Sequence, residues 1–173
     1  MPVDQQRLAR TLNPRSVVVV GDKGPNFQWL TNQKEFGGSL YSVQVDPNEI
    51  KGIEERGFKN FTSMSDVPGD VDLVICAVPR QVAPRIVADA IARKAGGMVL
   101  FTAGFAETGE EFGAQLQQRV IELATADGMP IVGPNCMGIH NARLGVKFTD
   151  NQPTLPDGNV RSEERRVGKE CRL

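Results

Sequence analysis

Five short stretches of the sequence mix glycine or proline with a few polar side chains: GDKGPN (21–26), VDPN (45–48), AVPRQ (77–81), TAGFAETG (102–109) and GPNCMG (133–138). Glycine at 21, 24, 104, 133 and 138, with Ala103 beside it, lets a ligand approach the backbone because no bulky side chain intervenes. Asn26, Arg80 and Thr108 fall where helices are expected to begin, and free N–H groups at a helix start favour phosphate. The chemistry implied is recognition of a long, phosphorylated, partly apolar ligand. Taken singly, such loops also simply close turns; five of them after successive strands favour binding. Covalent chemistry is not expected. Cys136 has no identifiable base beside it and reads as a lining residue. Cys76 lies in an apolar run and reads as core, and His140 reads as a loop or packing histidine. The three cysteines lack metal-ligand spacing, so neither a catalytic nor a metal residue is assigned.

These loops need elements to hold them side by side. SVVVVG (16–21) is a β-branched run stopped by glycine, as a strand buried on both faces requires. SLYSVQVDP, VDLVICAVP, MVLFTAGF and PIVG supply four further strands. Between them, NFQWLTNQKEF places Phe27, Leu30 and Lys34 on one stripe, with Asn26 as the expected N-cap. PRQVAPRIVADAIARKAGG repeats apolar residues at helical spacing, with Pro84 in its first turn, and TGEEFGAQLQQRVIELATADG ends at Gly128. Strand and helix signals in alternation predict the α/β class: a Rossmann-like, doubly wound parallel sheet in a three-layer αβα arrangement. In such a sheet the loops after the strands share one edge, where ligands bind.

Composition narrows the classes. The 173 residues, 40% hydrophobic with net charge −1, suit one domain with a sizeable core. The absence of a basic stripe argues against nucleic acid. No run is long enough for a membrane span and the polar N-terminus does not read as a signal peptide, so a cytoplasmic protein is expected. After residue 160 the composition shifts: RSEERRVGKECRL carries five of the 20 basic and three of the 21 acidic residues and has no apolar periodicity. Residues 161–171 resemble a translated sequencing adapter. The expectation is a domain over 1–160 and an artefactual or disordered tail over 161–173, the natural protein continuing beyond Val160.

LNPRSVVVVGDKG, YSVQVDPN, VDLVICAVPRQVAPRIV, FTAGFAETGEE and IVGPNCMGIHN together resemble the CoA-binding domain of NDP-forming acyl-CoA synthetases, related to the amino-terminal domain of the succinyl-CoA synthetase alpha subunit. The likeness runs from about Leu8 to Asn141. It implies that coenzyme A lies across the carboxyl ends of the strands. Its phosphates would meet the first loop, at Gly21, Asp22, Lys23, Gly24 and Asn26. Pro47 and Asn48 would flank the nucleotide, and Val78, Pro79 and Arg80 would border the adenine or pantetheine. Thr102, Ala103 and Gly104 would line the pantetheine arm, while Asn135 and Cys136 approach the thiol end.

The resemblance also implies partners: CoA or acyl-CoA, and the synthetase domains or subunit that carry the phosphorylated histidine and the nucleotide-grasp parts, to which no residue here is matched. Surface meant for those parts would also suit a homo-oligomer. The sequence departs from the family in two places. Phe27 and Trp29 follow the first loop, where they would narrow the phosphate pocket or offer a stacking face. Asn48 and Glu49 stand where a basic residue is frequent, which leaves Lys23, Lys51 or Arg80, or the backbone alone, to meet phosphate. The alternative reading is an NAD(P)-binding domain of an oxidoreductase or a redox regulator. Its support is Asp46, an acid about 20 to 25 residues after the first glycine; against it, GDKGPN lacks the G-x-G-x-x-G spacing.

Overall fold

The computed structural model describes residues 4–154; the tail expected over 161–173 lies outside them. Six parallel strands form one sheet in the order β3-β2-β1-β4-β5-β6. They are β1 (Ser16–Val20), β2 (Ser39–Val43), β3 (Lys59–Phe61), β4 (Leu73–Cys76), β5 (Gly97–Leu100) and β6 (Ile131–Val132). β1 pairs on one side with β2, Val18 opposite Tyr41, and on the other with β4, Val18 opposite Val74. The chain order reverses between β1 and β4, and that switch opens the crevice in which α/β sheets bind ligands.

The strands alternate their side chains between two cores. Val18, Val20, Val74, Cys76, Met98 and Leu100 join one cluster with residues of α4 (Ala83–Ala92) and α5 (Glu111–Asp127). Val17, Val19, Leu73, Ile75 and Val99 join the other with Leu30 of α2 (Gln28–Thr31) and Ile53 of α3 (Pro47–Glu55). Burial on both faces explains why β1, β4 and β5 read as unbroken apolar runs. A further helix, α1 (Gln5–Leu12), packs at the amino ends of β4 and β5. No described helix is long and apolar enough to cross a membrane.

The sheet, the helices α4 and α5, Pro84 in the first turn of α4 and the left-handed Gly128 cap follow the sequence expectation. Besides α1 and α3, which the sequence reading does not include, three features differ. There are six strands rather than five, because β3 is a three-residue edge strand, KNF, too short to carry a period. α2 is a single turn whose N-cap is Phe27, in the left-handed region, and not Asn26. Its buried stripe is Phe27, Leu30 and Gln33 rather than Phe27, Leu30 and Lys34, because the Gln33 amide exchanges hydrogen bonds with the backbone of Lys147.

Candidate functional site

The first loop is held from below. Asp22 is buried, its carboxylate accepting from Leu30 N at 2.8 Å and Lys23 N at 3.0 Å. Burial pushes its carboxyl above the ordinary value, those N–H bonds oppose the rise, and the charge of Glu49 adds to it. The expectation that Asp22 faces a ligand is therefore corrected: it turns inward to order the loop. Gln44, also buried, donates to the Asp22 carbonyl at 2.9 Å and accepts from Val45 N and Asp46 N, joining the first loop to the second. That amide was not singled out in the sequence; a lone Gln ending an apolar strand is the signal that marks it. Lys23 and Asn26 are exposed on the rim.

The amide of Gly24, expected to be free for phosphate, is bonded to Glu49 Oε2 at 2.8 Å. Glu49 rises from the first turn of α3, where Pro47 opens the helix and the Asp46 carboxylate caps it by accepting from Asn48 N at 3.0 Å. Asp46 thus serves its own helix, which removes the main support for the dinucleotide reading. Phe27 is core beneath Gly52 and Arg56, and Trp29 stacks on Phe101 with centroids 4.0 Å apart, so neither offers a free face over the loop.

The remaining loops are tied in series. Gly21, at φ +81°, lies so close to Val78 that a Cβ would meet its Cγ1 at 2.5 Å. Val78 O accepts from Thr102 Oγ1 at 2.6 Å, and Thr102 O accepts from Asn135 N at 3.1 Å. The ends of β1, β4, β5 and β6 therefore form one continuous rim, with Pro79, Ala103 and Asn135 exposed along it. Asn135 sits in the left-handed region at φ 48°, just after the cis Gly133–Pro134 bond.

Two expected contacts are committed elsewhere. Arg80 donates to Gly104 O and pairs with Glu110 at 2.7 Å, so it braces the β5 loop instead of standing free for phosphate. The Cys136 thiol points to the carbonyls of Val132 and Leu100, and burial raises its pKa; it is packing rather than an activated nucleophile. Glu107 accepts from Gly104 N at 2.7 Å and Phe105 N at 2.9 Å. The Gly104 N–H is the first cause that holds its carboxyl below the ordinary value. The helices also begin later than the sequence pattern predicts. α4 begins at Ala83, three residues past Arg80, and α5 at Glu111, while Thr108 closes a short 3-10 turn (Ala106–Thr108). His140 reaches Pro153 O at 3.2 Å, as a loop histidine would.

A cavity of about 180 Å³ opens beside Gly21 and Val78 at the switch between β1 and β4. Val45 and Val82 stand exposed at its edge, and Thr62, Ser63 and Arg85 add polar groups. Thr62 and Ser63 were not legible because they follow β3, the strand the sequence did not reveal. A larger trough of about 760 Å³ lies at the opposite, amino ends of the strands, where Arg10 is fixed by Asp72 and the Val71 carbonyl. Parallel sheets place ligands at the carboxyl ends and at the strand switch, which selects the cavity beside Gly21 over this trough and over a second cavity of about 220 Å³ at Leu100, Gly133 and Pro134.

The CoA binding domain family matches residues 15–142, which contain every loop of this rim. The chain belongs to that family. As a CoA-binding domain it is 36% identical over 142 residues to the alpha subunit of ADP-forming acetate–CoA ligase II of Pyrococcus furiosus, covering 79% of this chain and 30% of that one. It is also 36% identical to ADP-forming acetate–CoA ligase II of Archaeoglobus fulgidus, over 85% of this chain and 22% of that one. Among solved structures, the dinucleotide forming acetyl-coenzyme A synthetase 1 of Ca. Korarchaeum cryptofilum, in complex with phosphate and ADP, superposes with a TM-score of 0.72. The identity is 27%, over 90% of this chain and 32% of that one. The CoA-binding domain therefore spans about a third or less of these relatives. Its cavity at the strand switch is smaller than the roughly 300 to 1,000 Å³ that encloses a drug-sized ligand, so it has room for a single ring system.

Proposed function

We propose that this domain binds coenzyme A across the carboxyl edge of its sheet and supplies the CoA-binding part of an ADP-forming acyl-CoA synthetase. The observation that carries the reading is the cavity at the strand switch, apolar at Val45, Val78 and Val82 and continuous with the clasped rim. The adenine lies between those valines, near Pro47 and Asn48. The diphosphate passes Gly21, Lys23, Gly24 and Asn26, displacing or skirting Glu49. The pantetheine follows Pro79, Thr102, Ala103 and Gly104, and its thiol ends near Asn135. Within the described residues the chain holds and orients the coenzyme, while phosphoryl and acyl transfer fall to the other synthetase domains or subunit, its natural partners. His140 and Cys136 are both engaged by backbone carbonyls, which supports binding over catalysis.

The test is a thermal-shift titration of the whole chain with CoA, NAD and ADP. A ligand at about 100 times its dissociation constant stabilises by roughly 2.7 kcal/mol, a rise of about 5 to 10 °C for a domain of this size. Selective stabilisation by CoA is expected. Stabilisation by NAD alone would overturn the reading and move the chain to the dinucleotide class.

A further inference from the structure

The cavity has a charged wall that the rim does not explain. Of the described residues lining it, Arg85 and Asp89 are the charged ones. They approach each other only to 4.0 Å, one helical turn apart on α4, with the Arg85 side chain 82% exposed. An exposed pair at that separation holds its members weakly, so the guanidinium can turn over the cavity mouth. Two neighbouring bases have other work, and Lys23 and Lys51 lie outside the cavity lining. Arg80 is locked to Gly104 and Glu110, and Arg56 donates to Gly52 and Pro25 while covering Phe27. Thr62 and Ser63 bring hydroxyls to the same cavity as Arg85.

We infer that Arg85 reads a phosphate on the ribose of the bound nucleotide, the 3′-phosphate that distinguishes CoA from dephospho-CoA. The assignment rests on the coenzyme A reading above. A sugar phosphate beside an apolar base site needs a cation that can reach it and donors to share its oxygens. A guanidinium offers paired N–H groups in a plane that matches phosphate, the Thr62 hydroxyl supplies a further donor, and the Ser63 hydroxyl can donate when Ser65 is the donor in their 2.8 Å contact. Asn48 and Glu49 stand at the start of α3, and Lys51, the base that follows them on that helix, does not line the cavity.

Isothermal titration of the whole chain with CoA and with dephospho-CoA tests this, using wild type, Arg85→Gln and Arg85→Lys. Wild type is expected to prefer CoA by about tenfold, as one charge-assisted contact supplies. Arg85→Gln should lower CoA affinity to the dephospho-CoA level and leave dephospho-CoA affinity unchanged, while Arg85→Lys restores part of the preference. An unchanged preference in Arg85→Gln, or equal loss for both ligands, would overturn the assignment. Binding of neither ligand by wild type would instead overturn the coenzyme A reading itself. Arg85 is exposed, so an unaltered melting temperature of each unliganded variant serves as the folding control.

Discussion

A carboxylate bonded to a glycine amide changes what that amide can do. Glu49 Oε2 occupies the Gly24 N–H at 2.8 Å, in the loop proposed to meet the coenzyme diphosphate. An anionic ligand arriving there meets a resident negative charge and must compete for the donor. Glu49→Gln keeps a carbonyl oxygen for the Gly24 amide and removes the charge, so the loop stays closed while the repulsion goes. At an exposed site one such charge is worth about 0.5–1 kcal/mol, so CoA should bind roughly two- to fivefold tighter to Glu49→Gln. Calorimetric titration of the two proteins measures it. An unchanged constant would mean that the phosphates pass the first loop at a distance. Glu107 repeats the device on Gly104 and Phe105. Its carboxyl is depressed, so its contribution is present above its unfolded value and is lost as pH falls through its folded one.

At the scale of elements, the rim keeps its shape because helices are fitted to it closely. Gly113, in the first turn of α5, has no room for a side chain: a Cβ there would meet Phe105 O at 2.4 Å and Gly104 O at 2.9 Å. Gly to Ala inside a helix ordinarily stabilises by about 0.5–1 kcal/mol. Here the obstacle is backbone of the β5 loop, so Gly113→Ala should reverse that sign and destabilise by about 1–3 kcal/mol, read as a lowered urea midpoint. A stabilised variant would show that α5 can move away from the loop freely. Local fit of this kind also marks where the sequence stops being legible. β1, β4, α4 and the Gly128 cap were readable because each is written in consecutive residues, as apolar runs or helical spacing. β3 was not, since three residues, one charged and one amide, carry no period. The glycine loops were readable too, yet the direction of their polar side chains was not. Glu49 reaches Gly24 across 25 positions, and Asp22 turns under Leu30 instead of outward. Such choices are fixed by tertiary neighbours, and Arg85 escaped notice because the cavity wall it faces includes the unread end of β3.

Across the whole molecule, the ligand edge behaves as one piece if its ties transmit load. Gly21 packs on Val78, Val78 O receives the Thr102 hydroxyl, and Thr102 O receives Asn135 N, so four strand ends are linked from the switch point to β6. The middle link is the one a side chain supplies. Thr102→Val keeps the branched shape and removes the 2.6 Å bond to Val78, with a stability loss of about 1 kcal/mol. Local opening of a loop is governed by the bonds that hold it, which makes amide exchange the suitable probe. In wild type, CoA should slow exchange at both Gly21 N–H, bonded to Val43 O, and Asn135 N–H. In Thr102→Val the protection at Gly21 should persist while that at Asn135 falls, because closure at the nucleotide end no longer reaches the β6 loop. Equal protection at both amides in the variant would show that the loops close independently, and that the pantetheine rather than the rim connects them.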